Sequence, residues 1–273
     1  MIGQDKLLKQ IEKQIADNNF LHFCIITGVF GSGRKTLAHE IGKLIGGIVI
    51  NTGISVSDIR VMIENVYKTV NTTVHIIPDA DKMSVQAKNA LLKVTEEPPN
   101  DAYFIMTLED INNTLETIKS RATVYKMLNY TSTEIDQYYM EQVKDNPAEL
   151  QRNIINDLCE TPGEVNIMLN IGVVEFYEFV SYVVDNIAET SGSNSFKIAE
   201  KLSLKADSEG YDLKMFLKTF MSICIKRMED DSLKYLNGEA ITSKYLRELN
   251  ITGVNKQMLF DSWLLSIRDN WMK

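Results

Sequence analysis

The sequence predicts an α/β domain built on a parallel sheet, followed by an all-helical region. Three observations carry that expectation. Short unbroken apolar runs alternate with amphipathic, helix-length segments over the first half of the chain. A glycine-rich turn, "TGVFGSGRKT" at 27–36, joins the first of those runs to a helix. After about residue 130, strand-like runs give way to helical periodicity. Strands of a parallel sheet read as continuous apolar runs because helices cover both faces.

Taken in order, residues 4–19 place Leu7, Leu8, Ile11 and Ile15 on one helical face. "HFCIIT" at 22–27 passes straight into the glycine turn. "RKTLAHEIGKLIG" then sets Leu37, Ile41, Leu44 and Ile45 on one face of a helix. "GIVIN" at 47–51 is a second strand, and "SDIRVMIENVYKTV" a helix with Ser57 as the expected N-cap. "TVHII" at 73–77 is a third strand, followed by "SVQAKNALLKVTEE", a helix capped by Ser84. "AYFIMT" at 102–107 is a fourth, and "TVYKM" at 123–127 has the pattern of a fifth. Helical periodicity then covers 133–144, 147–159, 174–189, 211–228, 242–249 and 256–271, with "ETSGSNS" at 189–195 the most linker-like stretch. The pattern divides the chain into an α/β domain over 1–128 and one or two helical domains beyond it.

Composition narrows the function classes. The 273 residues are 44% apolar and 24% charged, which suits a globular core. A net charge of −8 argues against a surface built to coat nucleic acid or an anionic membrane. Cys24, Cys159 and Cys224 are far apart, each in an apolar run, and read as buried free thiols. "MIGQDKLLKQ" lacks the apolar core of a signal peptide, and no stretch of 18 apolar residues occurs, so a cytoplasmic protein is expected. His22 opens a buried strand and reads as structural; His39 and His75 lack a second ligand at metal-binding spacing. "MEDDSLK" at 228–234 reads as a solvated helix end. The apolar faces Leu213, Phe216, Leu217, Phe220, Met221, Cys224 and Leu259, Trp263, Ile267, Trp271 read mostly as core.

The glycine turn poses the functional question. A phosphate-binding loop reads G-x-x-x-x-G-K-[ST]: backbone N–H groups cradle the phosphates, the lysine reaches the β/γ oxygens, and the hydroxyl holds Mg²⁺. Gly28 and Gly33 have that spacing, with Gly31 between them. However, Arg34 stands at the lysine position, Lys35 at the hydroxyl position, and Thr36 one place late. A planar guanidinium does not replace a compact ammonium in a tight loop. The alternative is a one-residue bulge that returns Lys35 and Thr36 to register, at the cost of turning the helix start by about 100°.

The block "VHIIPDADKMSVQAKNALLKVTEEPPNDAYFIMT", Val74 to Thr107, resembles the clamp-loader family of the AAA+ class, and within it the delta-prime type of bacterial DNA polymerase III. Ala80-Asp81-Lys82-Met83, Asn89 to Lys93 and Glu96 to Pro99 carry the match, supported by "IGQD" at 2–5, the glycine loop, and "TIKSRA" at 117–122. The resemblance implies an AAA+ P-loop domain, then a small helical lid over 129–172 and a helical collar over 173–273. Where family members carry a four-cysteine zinc module, this chain has "LIGGIVINTGISVSDIR" without a cysteine, so no zinc is expected.

The resemblance also says what is lost. The family's Walker B strand ends in Asp-Glu; here Pro78 takes the metal aspartate's place and Asp79 the glutamate's. The arginine that senses the γ-phosphate in ATPase members has no counterpart in "TPGEVNIML", 161–169. ATP is therefore expected to bind weakly or not at all, and to go unhydrolysed. A role in trans survives: Arg121, preceded by Ser120, matches the family's finger that completes a neighbour's ATP site. Implied partners are ATPase subunits of the tau/gamma type, a delta-type subunit, the sliding clamp and primer–template DNA, with no membrane. The competing readings are an autonomous AAA+ ATPase of replication or repair and a direct DNA-binding protein, the latter opposed by the acidic balance and the lack of a basic stripe.

Overall fold

The computed structural model describes residues 1–99, 101–144, 148–187, 198, 201–203, 211–229, 231–249 and 254–272. The linker-like 189–195 stretch lies outside them. The chain divides into two compact units, residues 1–134 with 161–163, and residues 135–160 with 164–273.

The first unit holds five parallel strands: β1 (Phe23–Thr27), β2 (Ile48–Asn51), β3 (Thr73–Ile77), β4 (Ala102–Leu108) and β5 (Thr123–Lys126), in the order β2-β3-β4-β1-β5. Alternation of side chains explains why the strand sequences are apolar throughout. Cys24, Ile26, Val74, Ile76 and Ile105 point to one face, against Leu7 and Ile11 of α1 (Asp5–Ala16) and Leu37 and Ile41 of α2 (Arg34–Ile45). Phe23, Ile25, Ile77, Phe104 and Met106 point to the other, against α3 (Val56–Val66) and α4 (Val85–Glu96). The edge strand β2 is largely exposed.

The cap of α3 corrects the sequence expectation. Ser55, not Ser57, is the N-cap: its hydroxyl accepts from the Asp58 N–H, and the Asp58 carboxylate accepts from the Ser55 N–H. An acidic residue three places on makes this reciprocal box, which Ser57 lacks. Ser84 caps α4, accepting from the Ala87 N–H at 3.2 Å. Within α4, Lys88 is buried, and its ammonium donates to the Asn113 carbonyl beyond β4. A short helix, α5 (Glu116–Lys119), precedes β5.

The second unit is mainly helical: α6 (Ser132–Val143, which begins in the first unit), α7 (Glu149–Leu158), α8 (Pro162–Ile171), α9 (Val173–Asn186), α10 (Leu213–Lys226), α11 (Ser232–Leu249) and α12 (Lys256–Trp271). It is not all-helical as expected: Leu202–Ser203 and Tyr211–Asp212 pair as two short parallel strands, so α10 starts at Leu213 rather than 211. α11 is longer than the expected 242–249; its amino-terminal turns expose Leu233 and Leu236, so no apolar stripe marks them in the sequence. Phe216 and Phe220 of α10 meet Trp263 edge-on, with ring centroids 5.5 and 4.9 Å apart. The Trp263 indole N–H donates to the Thr242 hydroxyl at 3.1 Å, so this buried tryptophan leaves no donor unpaired. Gly238 lets α11 approach: a Cβ there would stand 2.7 Å from the Trp271 ring. Gly172, at φ +84°, separates α8 from α9.

Among the described residues no single helix is long and apolar enough to cross a membrane; α8 and α9 reach that length only together, and are bent by 84°. All three cysteines are free and buried, and burial pushes the Cys159 and Cys224 thiols up to about 12.

His22 donates its Nδ1–H to the Ala102 carbonyl, 2.8 Å away, which is the structural role its position suggested. His75 is different. It is buried beside Phe104 with neither ring nitrogen hydrogen-bonded, and burial lowers its pKa to about 4. The unfolded chain protonates this ring near 6.5, so between 6.5 and 4 unfolding takes up a proton and stability falls as the pH falls. We expect this group to cost about 2 kcal/mol between pH 7 and pH 5. Urea denaturation at the two pH values measures it, and His75→Phe should remove that share of the pH dependence.

Candidate functional site

The carboxyl ends of β1, β4 and β5 converge where an open α/β sheet places its ligands. β1 ends at Thr27, the glycine loop runs from Gly28 to Gly33, and α2 starts at Arg34. Gly33 takes φ +89° as the N-cap, a left-handed conformation that suits glycine. With α2 starting at Arg34, that residue holds the lysine place of the loop and Lys35 the hydroxyl place.

Arg34 is only 7% exposed. Its guanidinium folds back into the loop: Nη1 donates to the Gly28 carbonyl and, at 2.9 Å, to the Val29 carbonyl, while Nη2 lies 3.3 Å from Glu109 Oε1. Lys35 points away from the loop and pairs with Asp79 at 2.8 Å. Thr36 is exposed on α2. Arg34 is thus committed to the loop carbonyls and Glu109, and Lys35 to Asp79.

The neighbouring turn is equally committed. Asp79, after Pro78, sits at φ +50° with its N–H on the Thr107 hydroxyl at 3.1 Å. Asp81 accepts from the Glu109 N–H at 2.7 Å, the Asp110 N–H at 3.3 Å and the Asn113 amide at 3.1 Å. It therefore fixes the turn after β4 that carries Glu109. Two further contacts hold the glycine loop from outside, and a third ties down Leu128 after β5. The Gly163 N–H donates to the Gly31 carbonyl at 3.0 Å, and Gly31, at φ +75°, has no room for a Cβ, which would stand 2.4 Å from the Thr161 hydroxyl. Tyr130 donates its hydroxyl to the Ser32 carbonyl at 2.8 Å. Gln4 bridges both the N–H and the carbonyl of Leu128, each at 2.9 Å. Beside the loop a cavity of about 300 Å³ opens between Ser32, Glu109, Lys126 and Met127.

Ser120 and Arg121 lie apart from the loop. They precede β5, at the amino-terminal edge of the sheet, whereas the loop crowns the carboxyl-terminal edge. Arg121 Nη1 donates to the Thr117 carbonyl at 2.5 Å, and Nη2 pairs with Glu96 at the end of α4. Ser120 donates to the Thr117 carbonyl at 3.1 Å. In the second unit, the first turn of α8 presents a buried carboxylate: Glu164 accepts from the Glu160 N–H and from Lys218, each at 2.9 Å. Among the described residues no three His, Cys, Asp or Glu side chains converge as metal ligands.

Sequence reasoning singled out the loop, Asp79 and Arg121, but missed Glu109, Tyr130 and Gly163. Only Gly163 left a signal, as a glycine opening a helix beside a proline. Glu109 lies 75 residues from Arg34, and no local pattern couples the two.

A family model described as "DNA polymerase III, delta subunit" matches residues 48–131. The gamma subunit of DNA polymerase III from Buchnera aphidicola subsp. Schizaphis graminum (strain Sg) is 29% identical over 205 residues, covering 63% of this chain and 56% of that protein. The delta' subunit from Bacillus subtilis (strain 168) is 33% identical over 87 residues, covering 32% and 26%. The chain thus spans about half, or less, of the length of these relatives. A gamma-subunit-related protein of DNA polymerase III from Thermotoga maritima has the same fold, with a TM-score of 0.57 at 16% identity over 97% of this chain and 99% of that one.

Arg34 and Lys35 should differ sharply on substitution. Arg34→Ala strips the donor from two loop carbonyls and should cost about 2 kcal/mol of unfolding free energy. Lys35→Ala breaks an exposed pair and should cost less than about 1 kcal/mol. Urea denaturation of the two variants side by side makes the comparison.

Proposed function

We propose that this chain, which belongs to the clamp-loader family of DNA polymerase III subunits, serves DNA replication as a subunit of the delta-prime type that does not split ATP. It lends an arginine to a neighbour instead. The observation that carries this reading is the burial of the Arg34 guanidinium against the Gly28 and Val29 carbonyls. A magnesium nucleotide does not suit the residues around it. The P-loop lysine is replaced by a guanidinium already bonded to the loop, the hydroxyl place holds Lys35 paired to Asp79, and the metal aspartate's place holds Pro78. No step of ATP hydrolysis is therefore assigned to this chain.

Arg121 supports the other half of the reading. Its guanidinium is partly exposed and rests on Glu96, itself about half exposed, so a stronger anion can draw it away at small cost. A γ-phosphoryl group offered by a neighbouring subunit is such an anion, and a bidentate guanidinium suits it better than a lysine. The partners in this proposal are tau/gamma-type ATPase subunits and a delta-type subunit, acting together in the cytoplasm on a sliding clamp and primer–template DNA.

Two measurements test it. Calorimetric titration of the chain with Mg-ATP, with phosphate release read on the same sample, should show neither saturable binding nor turnover; turnover would make the chain an autonomous ATPase. In an assembly reconstituted with tau/gamma-type and delta-type subunits, Arg121→Ala should depress ATP turnover by roughly 10³-fold, as loss of an arginine finger does. Arg121→Lys should not restore it. Unchanged turnover would remove the finger from the proposal.

A further inference from the structure

Glu109 had no part in the sequence reading, yet it is the one acidic side chain on the guanidinium of Arg34 among the described contacts. We propose that Glu109 is the residue that closes this loop to phosphate. It acts as a built-in anion, holding Arg34 turned into the loop and placing negative charge where a polyphosphate would lie. The proposal rests on reading the loop as a phosphate cradle that has lost its nucleotide role.

The geometry points this way through four features. Gly28 and Gly33 keep the spacing of a phosphate cradle, and a twelve-residue helix starts behind them. Ser32, 2% exposed, has a hydroxyl without a hydrogen-bond partner beside the cavity that Glu109 also lines. Glu109 is held in place from its own backbone, whose N–H donates to Asp81 at 2.7 Å, so its position does not depend on Arg34. Its side chain is half exposed and lies 3.3 Å from Nη2, so a neutral replacement removes the charge without stranding a buried polar group. A carboxylate at that place both neutralises the only cation inside the loop among the described residues and repels a second anion. A neutral side chain there would leave Nη1 on the Gly28 and Val29 carbonyls and release Nη2 to face an incoming phosphate. Glu109 is thus a positioning and excluding residue that acts through Arg34.

The test titrates the full chain and its Glu109→Gln variant with magnesium tripolyphosphate and with Mg-ATP, followed by calorimetry, with circular dichroism to establish folding. Glu109→Gln should bind tripolyphosphate at least about tenfold more tightly than the parent chain. The conservative Glu109→Asp should stay closed, and adding Arg34→Ala to Glu109→Gln should abolish the gain. Glu109→Ala serves as a second neutral variant should the glutamine one misfold. Folded neutral variants with no gain for either probe would overturn the proposal, and so would a gain that persists without Arg34. Turnover of ATP by the parent chain would instead sink the non-hydrolysing reading, so the two failures are distinguishable.

Discussion

Carbonyl oxygens that turn inward at a tight loop need a donor, and in this protein a side chain of the same loop supplies it. The Arg34 guanidinium bonds the Gly28 and Val29 carbonyls and faces Glu109. Much of the carboxyl-terminal edge of the sheet is arranged around that contact. Asp81 fixes the turn that presents Glu109, Lys35 is free to pair with Asp79, and the outer surface of the loop is held by Tyr130 and Gly163. A buried guanidinium is stable only where its donors are satisfied, which is why these partners come as a set.

The consequence is a loop that keeps the form of a phosphate site while its polar groups serve one another. A phosphate cradle works because its N–H groups and its cation have no better partner than the ligand. Here the cation already bonds the Gly28 and Val29 carbonyls. The same economy appears at Glu164, a buried carboxylate in the first turn of α8, which is satisfied by Lys218 and the Glu160 N–H. Arg121 stands in contrast. It lies at the opposite edge of the sheet, on an exposed glutamate, where the pairing energy is small and a partner can compete.

The fold was largely legible because the apolar pattern determines it. Five runs with residues directed to both faces require a sheet covered on both sides, and the structure has that sheet. Ser84 was readable as a cap because its environment is local; the α3 cap was misassigned to Ser57 because two serines compete there, and the choice falls to Asp58, which completes a box only with Ser55. The amino-terminal half of α11 was obscured by its charge run and by the lack of a continuous apolar face.

By itself the sequence determined the parallel sheet, the place of the glycine loop on it, the departure of Arg34 and Lys35 from the G-x-x-x-x-G-K-[ST] spacing, and the buried state of the three cysteines. Each follows from residue type at fixed local spacing. Only the tertiary structure decided where the Arg34 guanidinium goes, because its partner Glu109 arrives from another strand. It likewise decided that His75 is buried without a hydrogen bond, that Asp81 serves the β4 turn, and that Gly163 lies on Gly31. These are contacts between segments distant in the chain, set by strand order and helix packing, and no local pattern encodes them.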